Sequence, residues 1–555
     1  MAGADRSVSF LRLSCLALAA AYTVDAGLRN AGLGHLPLGF ALVLVVACSL
    51  ASLARNSTWP QSLPAQPRLG PLALVAAAVA GTSFWFHRAM LGAWYLGDDL
   101  YYVAATTADP GLLPPLAWLL GRGDGIQYVR PLAHLTTYFE VKLFAADALY
   151  PHLLNLLLHA SSAALIAWIA GRLSCSRGAA TIAGFLFGLS PLAVPTVGWL
   201  NAHMDSLCVF FYVAALAAFV EALADRRGAW AASLALAALA LLSKEPALTL
   251  PVPIAALALG WKREARSARG LARFAAPHVA LVAAYLLARF ALFGGLGGYM
   301  SEGHAVAASL KPGAMSAVFL ELPRVYLVAG NQAIVPAVEA LRSGAAALAL
   351  LLLAAALGTA SGAAVALVLA GSALMAASFA PVHNMLWVGP ELLNARYLYL
   401  GVVGFALAAT GLVHGAFAGR SRATTSAAAL YGLIALLVAV ANREQWLAND
   451  SLVAGMARDL RSLDRVRGVG RVEFLDFPHT YAGSYVFNYD LVPEVALGRS
   501  LPALWRDDSG VDHVRAGALS PGIAVSYRFL GEPRLWQREE PARLTPRRSS
   551  TTGGS

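Results

Sequence analysis

A chain of 555 residues that is 58% hydrophobic and only 13% charged lies outside the composition of water-soluble domains and reads as a polytopic membrane protein. The formal net charge of +10 is dispersed among short loops with no basic, aromatic-flanked stripe, which excludes a nucleic-acid binder and suits helices oriented by basic cytoplasmic loops. Cys15, Cys48, Cys175 and Cys208 are scattered inside apolar runs, where they form neither a disulfide framework nor a metal site.

Apolar segments near residues 9–25, 37–54 and 71–90 approach the roughly 20 residues that cross hydrocarbon, so residues 1–90 are expected to form three transmembrane helices. The first, flanked by Arg6, also fits a signal peptide, and either reading sends the next segment outward. With the N-terminus in the cytoplasm, Arg55 and Arg68 fall inside and the following stretch, Leu96-Gly97-Asp98-Asp99-Leu100-Tyr101-Tyr102-Val103, emerges outside. Residues 91–150 then form a long first outer loop. Pro110, Pro114 and Pro115 break it, and its amphipathic pieces are expected to lie along the membrane.

The remaining bundle, 151–442, continues with apolar runs near 151–171, 178–198, 206–224, 229–247, 248–261 and 274–293. The densest basic loop, from Lys262 to Arg273, falls on the cytoplasmic side of this arrangement. A Gly-rich outer loop, 294–342, holds an apolar stretch at 314–338. Glu321, Arg324, Pro323 and Pro336 interrupt that stretch, as expected of a re-entrant piece facing a cavity. Spans near 343–359, 362–379, 397–415 and 425–442 bring the total to about thirteen and leave the C-terminus outside. Residues 443–555 have the composition of a soluble module. Trp446, Leu447, Met456 and Leu460 share an amphipathic helix, strands are expected at 472–477, 485–487 and 525–529, and the tail from about Pro541 is expected to be disordered. The fold class is therefore an all-α polytopic bundle with a small C-terminal α/β module.

Polar residues recur at the outer helix ends. Arg130 and His134 lie late in the first outer loop, and His152, Asn155 and His159 enter the next helix. His203 and Asp205 sit at an outer turn, as do Lys244 and Glu245. Glu391, Asn394, Arg396 and Tyr397 precede the helix near 397–415. Each alone has an ordinary explanation, such as snorkelling or an ion pair between the neighbours Lys244 and Glu245. Gathered on one side of the membrane beside an acidic pair, they form a candidate site.

The order Gly97-Asp98-Asp99, Val129-Arg130-Pro131-Leu132, Trp199 with His203-Met204-Asp205, Ser243-Lys244-Glu245-Pro246, and Ala395-Arg396-Tyr397-Leu398-Tyr399 resembles the multi-pass glycosyltransferases of the GT-C fold. It is most similar to bacterial relatives of the tetratricopeptide-repeat protein O-mannosyltransferases. The resemblance covers roughly 71–442, and Phe477 to Phe487 resembles the outer module of some bacterial members. The repeats themselves are absent, as is the Trp-Trp-Asp motif of oligosaccharyltransferases, so neither group's acceptor carries over.

The resemblance implies a sugar donor on polyprenyl phosphate and an acceptor hydroxyl, on a protein, lipid or glycan, that attacks the anomeric carbon with inversion. A carboxylate at the membrane edge suits the general base, so Asp98 or Asp99 takes that role. Charge grows on the leaving phosphate, so Arg396, Lys244 and Arg130 are the expected donor-phosphate ligands, with His203, Asp205, Glu245, Tyr397 and Tyr102 in support. No cofactor is assigned beyond a candidate divalent metal ion, and the second aspartate either positions the acceptor or holds that ion. Heavy use of Ala, Gly and Arg matches a GC-rich bacterial genome, which would make the outer face the periplasmic side of the inner membrane. The alternatives are a transporter or flippase of lipid-linked sugars, disfavoured by the lack of an inverted repeat, and a scaffold that presents the C-terminal module.

Overall fold

The apolar segments expected to span fold as helix over most of their lengths, in a computed structural model that describes residues 2–539 except 57, 61, 64–68, 121–127, 145–146, 296–323, 358, 383–387, 418–421, 482, 516–521 and 531–535. They differ in length, however. Among the described residues eight helices are long and apolar enough to do so, and a ninth is present if the bent pair Arg177–Gly188 and Pro191–Gly198 counts as one span. Ala229–Leu241, Glu245–Trp261 and Gly362–Ser378 are shorter. Among the described residues the shorter helices arise where charged motifs cut apolar runs. At Ser243-Lys244-Glu245-Pro246 the chain needs polar partners and Pro246 has no N–H to donate, so the helix yields to a 3-10 turn, Glu245–Thr249. The last apolar segment belongs to a single helix, Arg422–Arg467, which runs on through residue 443. The expected re-entrant piece at 314–338 and the tail from Pro541 lie largely or wholly outside the described residues.

The chain forms two compact units. The first comprises Met1–Leu91, Gly111–Phe139 and Tyr150–Trp446; the second comprises Gly92–Pro110, Glu140–Leu149 and Leu447–Ser555.

In the first unit, helix Ala2–Asn30 packs against Val338–Ala356 through Cys15, Ala19, Tyr22, Ala346, Leu350 and Leu353. Polar ties close both ends. Asp25 accepts from Ser343 Oγ at 2.5 Å and from Arg29 Nε at 2.7 Å, while Arg12 reaches the Leu357 carbonyl. Helices Gly362–Ser378 and Tyr399–Ala416 approach almost backbone to backbone. A Cβ on Gly371 would fall 2.4 Å from the Ala408 nitrogen, and one on Gly404 would fall 2.5 Å from the Gly371 oxygen. Small residues are what lipid-embedded helices use to gain packing contact, since hydrocarbon offers them no hydrophobic drive to associate.

The bend at residues 189–190, between helices inclined at 42°, has a local cause. Ser190 Oγ takes the Leu192 N–H that a continuous helix would give to Gly188, and Pro191 and Pro195 supply no donors. The freed Gly188 carbonyl is satisfied by Ser83 Oγ at 3.0 Å and by the rings of His87 and His159 at 3.2 and 3.1 Å. His159 turns its other nitrogen to Tyr399 Oη at 2.7 Å. Two buried histidines thereby serve the backbone.

The second unit is built on a five-stranded mixed sheet of order β5-β4-β1-β6-β7. β1 (Val469–Phe477) runs parallel to β4 (Ala503–Asp507) and β6 (Ile523–Phe529), and the edges β5 (Asp512–Arg515) and β7 (Trp536–Glu539) are antiparallel. Phe474, Phe477, Tyr489, Trp505 and Tyr527 form its aromatic core. Strands 472–477 and 525–529 are where the sequence places them. The third differs: only Ser484–Tyr485 (β3) is strand, paired with Thr480–Tyr481 (β2), and the Val486 N–H donates to the His479 carbonyl at the open end of this hairpin. β4, β5 and β7 were not read from the sequence. Arg506, Asp507, Asp512, Arg515, Arg538 and Glu539 give these short strands a polar composition, while cross-strand partners such as Arg506 with Asp512 supply their stability.

Candidate active site

The acidic turn belongs to the second unit. Gly97 takes φ 53°, a conformation that L side chains seldom adopt, and caps helix Asp98–Ala108. Added bulk would also collide there: a Cβ on Gly97 would sit 3.1 Å from the Tyr485 oxygen and 3.5 Å from the Phe487 ring. Asn488 Nδ2 donates to the Gly97 carbonyl at 3.3 Å. The two stretches singled out in the sequence, 97–99 and 477–487, are therefore packed on one another.

Asp98 and Asp99 have different environments. Asp99 is buried and its Oδ2 accepts from the Leu96 N–H at 3.1 Å, closing the turn, whereas Asp98 is partly exposed. Tyr102 is half-buried on the same helix, edge-on to Tyr101. Burial, with Asp99 and Glu140 nearby, pushes the Tyr95 phenol up. Two further acids were missed in the sequence. Glu140 is raised to about 8 by burial, and Asp450, raised to about 6 by burial, holds the Trp94 N–H at 2.5 Å. Both sit on helices whose apolar positions dominate the pattern, and only the surrounding fold shows that they face inward.

The cationic residues belong to the first unit, and the turn 199–205 serves three of them. The Trp199 ring lies 4.0 Å under the Arg396 guanidinium, Met204 Sδ takes Arg130 NH1 at 2.9 Å, and Asp205 Oδ2 takes Lys244 Nζ at 2.6 Å. Glu245 joins the group by bridging Arg130, at 2.9 and 2.6 Å, and Arg289, at 2.7 Å. The neighbours Lys244 and Glu245 thus point to different partners and do not pair with one another. Four cations against two carboxylates leave these six side chains with a formal surplus of two positive charges.

Arg130 also stacks on Tyr128 at 3.8 Å, and burial together with Arg130 pushes the His134 imidazole down to about 4. Arg396 donates to Tyr397 Oη at 3.2 Å. It is presented by a turn in which Leu392 (φ 65°) and Asn394 (φ 67°) both adopt left-handed backbone, strain of the kind that clusters at functional sites. His203 is buried, and neither ring nitrogen has a hydrogen-bond partner among the described residues. Arg289 and Tyr285 were missed in the sequence. An arginine inside the apolar helix Ala268–Phe293 is itself a signal, since ionisable groups there are costly and need partners.

Residues 131–296 match the family described as dolichyl-phosphate-mannose-protein mannosyltransferase. Among solved structures the chain is similar to ArnT from Cupriavidus metallidurans bound to undecaprenyl phosphate, at 14% identity over 78% of this chain and 85% of that one, TM-score 0.35. It is similar to the same protein in the apo state at 15% identity with equal coverage, TM-score 0.32. It is also similar to the archaeal oligosaccharyltransferase AglB from Archaeoglobus fulgidus, in complex with an inhibitory peptide and a dolichol-phosphate, at 14% identity over 77% of this chain and 64% of that one, TM-score 0.37. No curated protein matches.

Proposed function

We propose that the protein is an inverting glycosyltransferase that moves a sugar from a polyprenyl-phosphate donor to an acceptor hydroxyl on the outer face of a bacterial inner membrane. The observation that carries this reading is the gathering of four cations, the buried Lys244 and Arg289 and the half-buried Arg130 and Arg396, about the turn that holds Asp205 and about Glu245. A leaving phosphate gains negative charge as the glycosidic bond breaks, and fixed cations lower the energy of that state without reorganising. Arg396 and Lys244 take the phosphate oxygens in this reading, while Arg130 and Arg289, anchored on Glu245, hold the framework.

The acceptor oxygen forms a bond to the anomeric carbon as the bond from that carbon to the phosphate oxygen breaks, and the hydroxyl proton passes to a carboxylate. The partly exposed Asp98 is that base, and Asp99, committed to the Leu96 N–H, is a positioning residue. The transporter alternative gains one broken helix, Arg177–Gly188 with Pro191–Gly198, but no counterpart in a paired position among the described residues.

Purified protein reconstituted with a panel of polyprenyl-phosphate sugars is expected to transfer sugar or release polyprenyl phosphate. Asp98→Asn should lower turnover by about a hundredfold or more, the usual scale of general-base loss. A folded Asp98→Asn protein with undiminished turnover removes Asp98 as base. Movement of the donor across the bilayer with no new glycosidic bond refutes the enzyme.

A further inference from the structure

The sheet unit carries a second constellation that neither the acidic turn nor the cation cluster uses. β4 ends at Asp507, whose side chain is only 3% exposed although it sits at a strand end. Its Oδ1 is fully engaged by the turn into β5, accepting from Ser509 N at 3.0 Å, Ser509 Oγ at 2.7 Å and Val511 N at 2.8 Å. Its Oδ2 receives two imidazoles by the same ring atom: Nε2 of His479 at 2.9 Å and Nε2 of His513 at 3.1 Å. Trp505 fixes both rings, stacking on His513 at 4.3 Å and meeting His479 at 4.6 Å between centroids.

We propose that His479, Asp507 and His513 form a zinc site. The candidate ligand atoms of all three lie within 4.8 Å of one another. Zinc takes imidazole nitrogen at about 2.0–2.1 Å and carboxylate oxygen at about 2.0–2.2 Å, so the edges of its coordination tetrahedron are about 3.3–3.4 Å. Opening the 2.9 and 3.1 Å nitrogen–oxygen separations by a few tenths of an ångström brings two of the three edges to that length, and the third, between the two imidazole nitrogens, lies within 4.8 Å. The hydrogen that Nε2 of each ring now gives to Oδ2 would move to Nδ1 through solvent as zinc takes Nε2, so each ring stays neutral with its one proton on Nδ1. The fourth position faces solvent, since the His479 and His513 side chains are 48% and 37% exposed. Two imidazoles and one carboxylate favour zinc over magnesium, which prefers oxygen ligands and retains its waters.

The site would clamp a loop that matters elsewhere in the same unit. The His479 carbonyl accepts the Val486 N–H at 2.9 Å, and the chain that follows brings Tyr485, Phe487 and Asn488 onto Gly97. Metal at His479 would fix the base of the loop that packs on the acidic turn.

Zinc titrated calorimetrically into the chelator-stripped 555-residue chain in detergent tests the site. One ion per chain should bind with micromolar or tighter affinity, and cobalt in its place should give visible d–d absorption. His479→Gln and His513→Gln should each weaken zinc binding at least tenfold, His35→Gln should leave it unchanged, and magnesium should not compete. Zinc should also protect His479 and His513 of the unmutated protein from diethyl pyrocarbonate, read by mass spectrometry, which needs no variant to fold. Absence of saturable binding, binding indifferent to both variants, or unprotected histidines in zinc would each overturn the proposal.

Discussion

Removing Asp205 should do more damage than removing the lysine it holds. Lys244 and Asp205 are both buried, with side chains 7% and 8% exposed and a 2.6 Å contact. Asp205→Ala strands an ammonium group in a place that water does not reach, and breaking a buried pair in this way costs about 3–5 kcal/mol. The asymmetry comes from the neighbours: Arg130 and Arg396 are close enough to Lys244 to act on it electrostatically, so losing the carboxylate leaves cations facing cations. Lys244→Met removes one of those repulsions as it removes the partner, and should cost less. The double variant Asp205→Ala/Lys244→Met leaves no orphan charge, so it should fall short of the sum of the singles by about 2 kcal/mol or more. Unfolding in mixed micelles titrated with dodecyl sulfate gives the four free energies. Polyprenyl phosphate, an anion at the same cations, should raise the stability of Asp205→Ala more than that of the unmutated protein. Additive single effects, or a lysine variant less stable than the aspartate variant, would refute this reasoning.

Arg396→Lys keeps a charge but loses the planar donor set and the guanidinium that lies on Trp199, so turnover at saturating donor should drop by about tenfold or more with little change in unfolding. Steady-state kinetics at two donor concentrations check it, and an effect confined to donor affinity would place Arg396 outside the transition state. Glu140 has a folded pKa of about 8, so between about 4.5 and 8 the folded protein holds a proton that the unfolded chain has released, and stability falls as pH rises through that window. Glu140→Gln should flatten this slope and be the more stable protein at pH 8, by up to a few kcal/mol, in unfolding curves recorded from pH 5 to pH 8. In a background without native cysteines, single cysteines at the exposed positions 107 and 480 should react with an impermeant maleimide in intact spheroplasts, and one at 267 should not. Labelling of 267 alone would invert the topology.

Where helices form was readable from the chain because hydropathy over some twenty residues is a local property, and the bilayer acts on each segment separately. The motifs around Asp98, Arg130, Asp205, Lys244 and Arg396 were legible for a related reason: charged residues interrupting apolar runs stand out from their surroundings. Their partners were not. Lys244 and Glu245 are adjacent in sequence, and the plain expectation is that they pair; the fold sends one to Asp205 and the other to Arg130 and Arg289. Nor could spacing say that Asp99 closes its own turn while Asp98 stays accessible, or that Gly97 is covered by Tyr485 and Phe487 from the far end of the chain. The three short strands β4, β5 and β7 escaped because their polar residues gain stability only from cross-strand neighbours, which bring His479, Asp507 and His513 together as well. Burial of a helix segment is decided by its own composition, but the pairing of charges is decided by which ends and strands converge, and that depends on contacts between residues hundreds of positions apart.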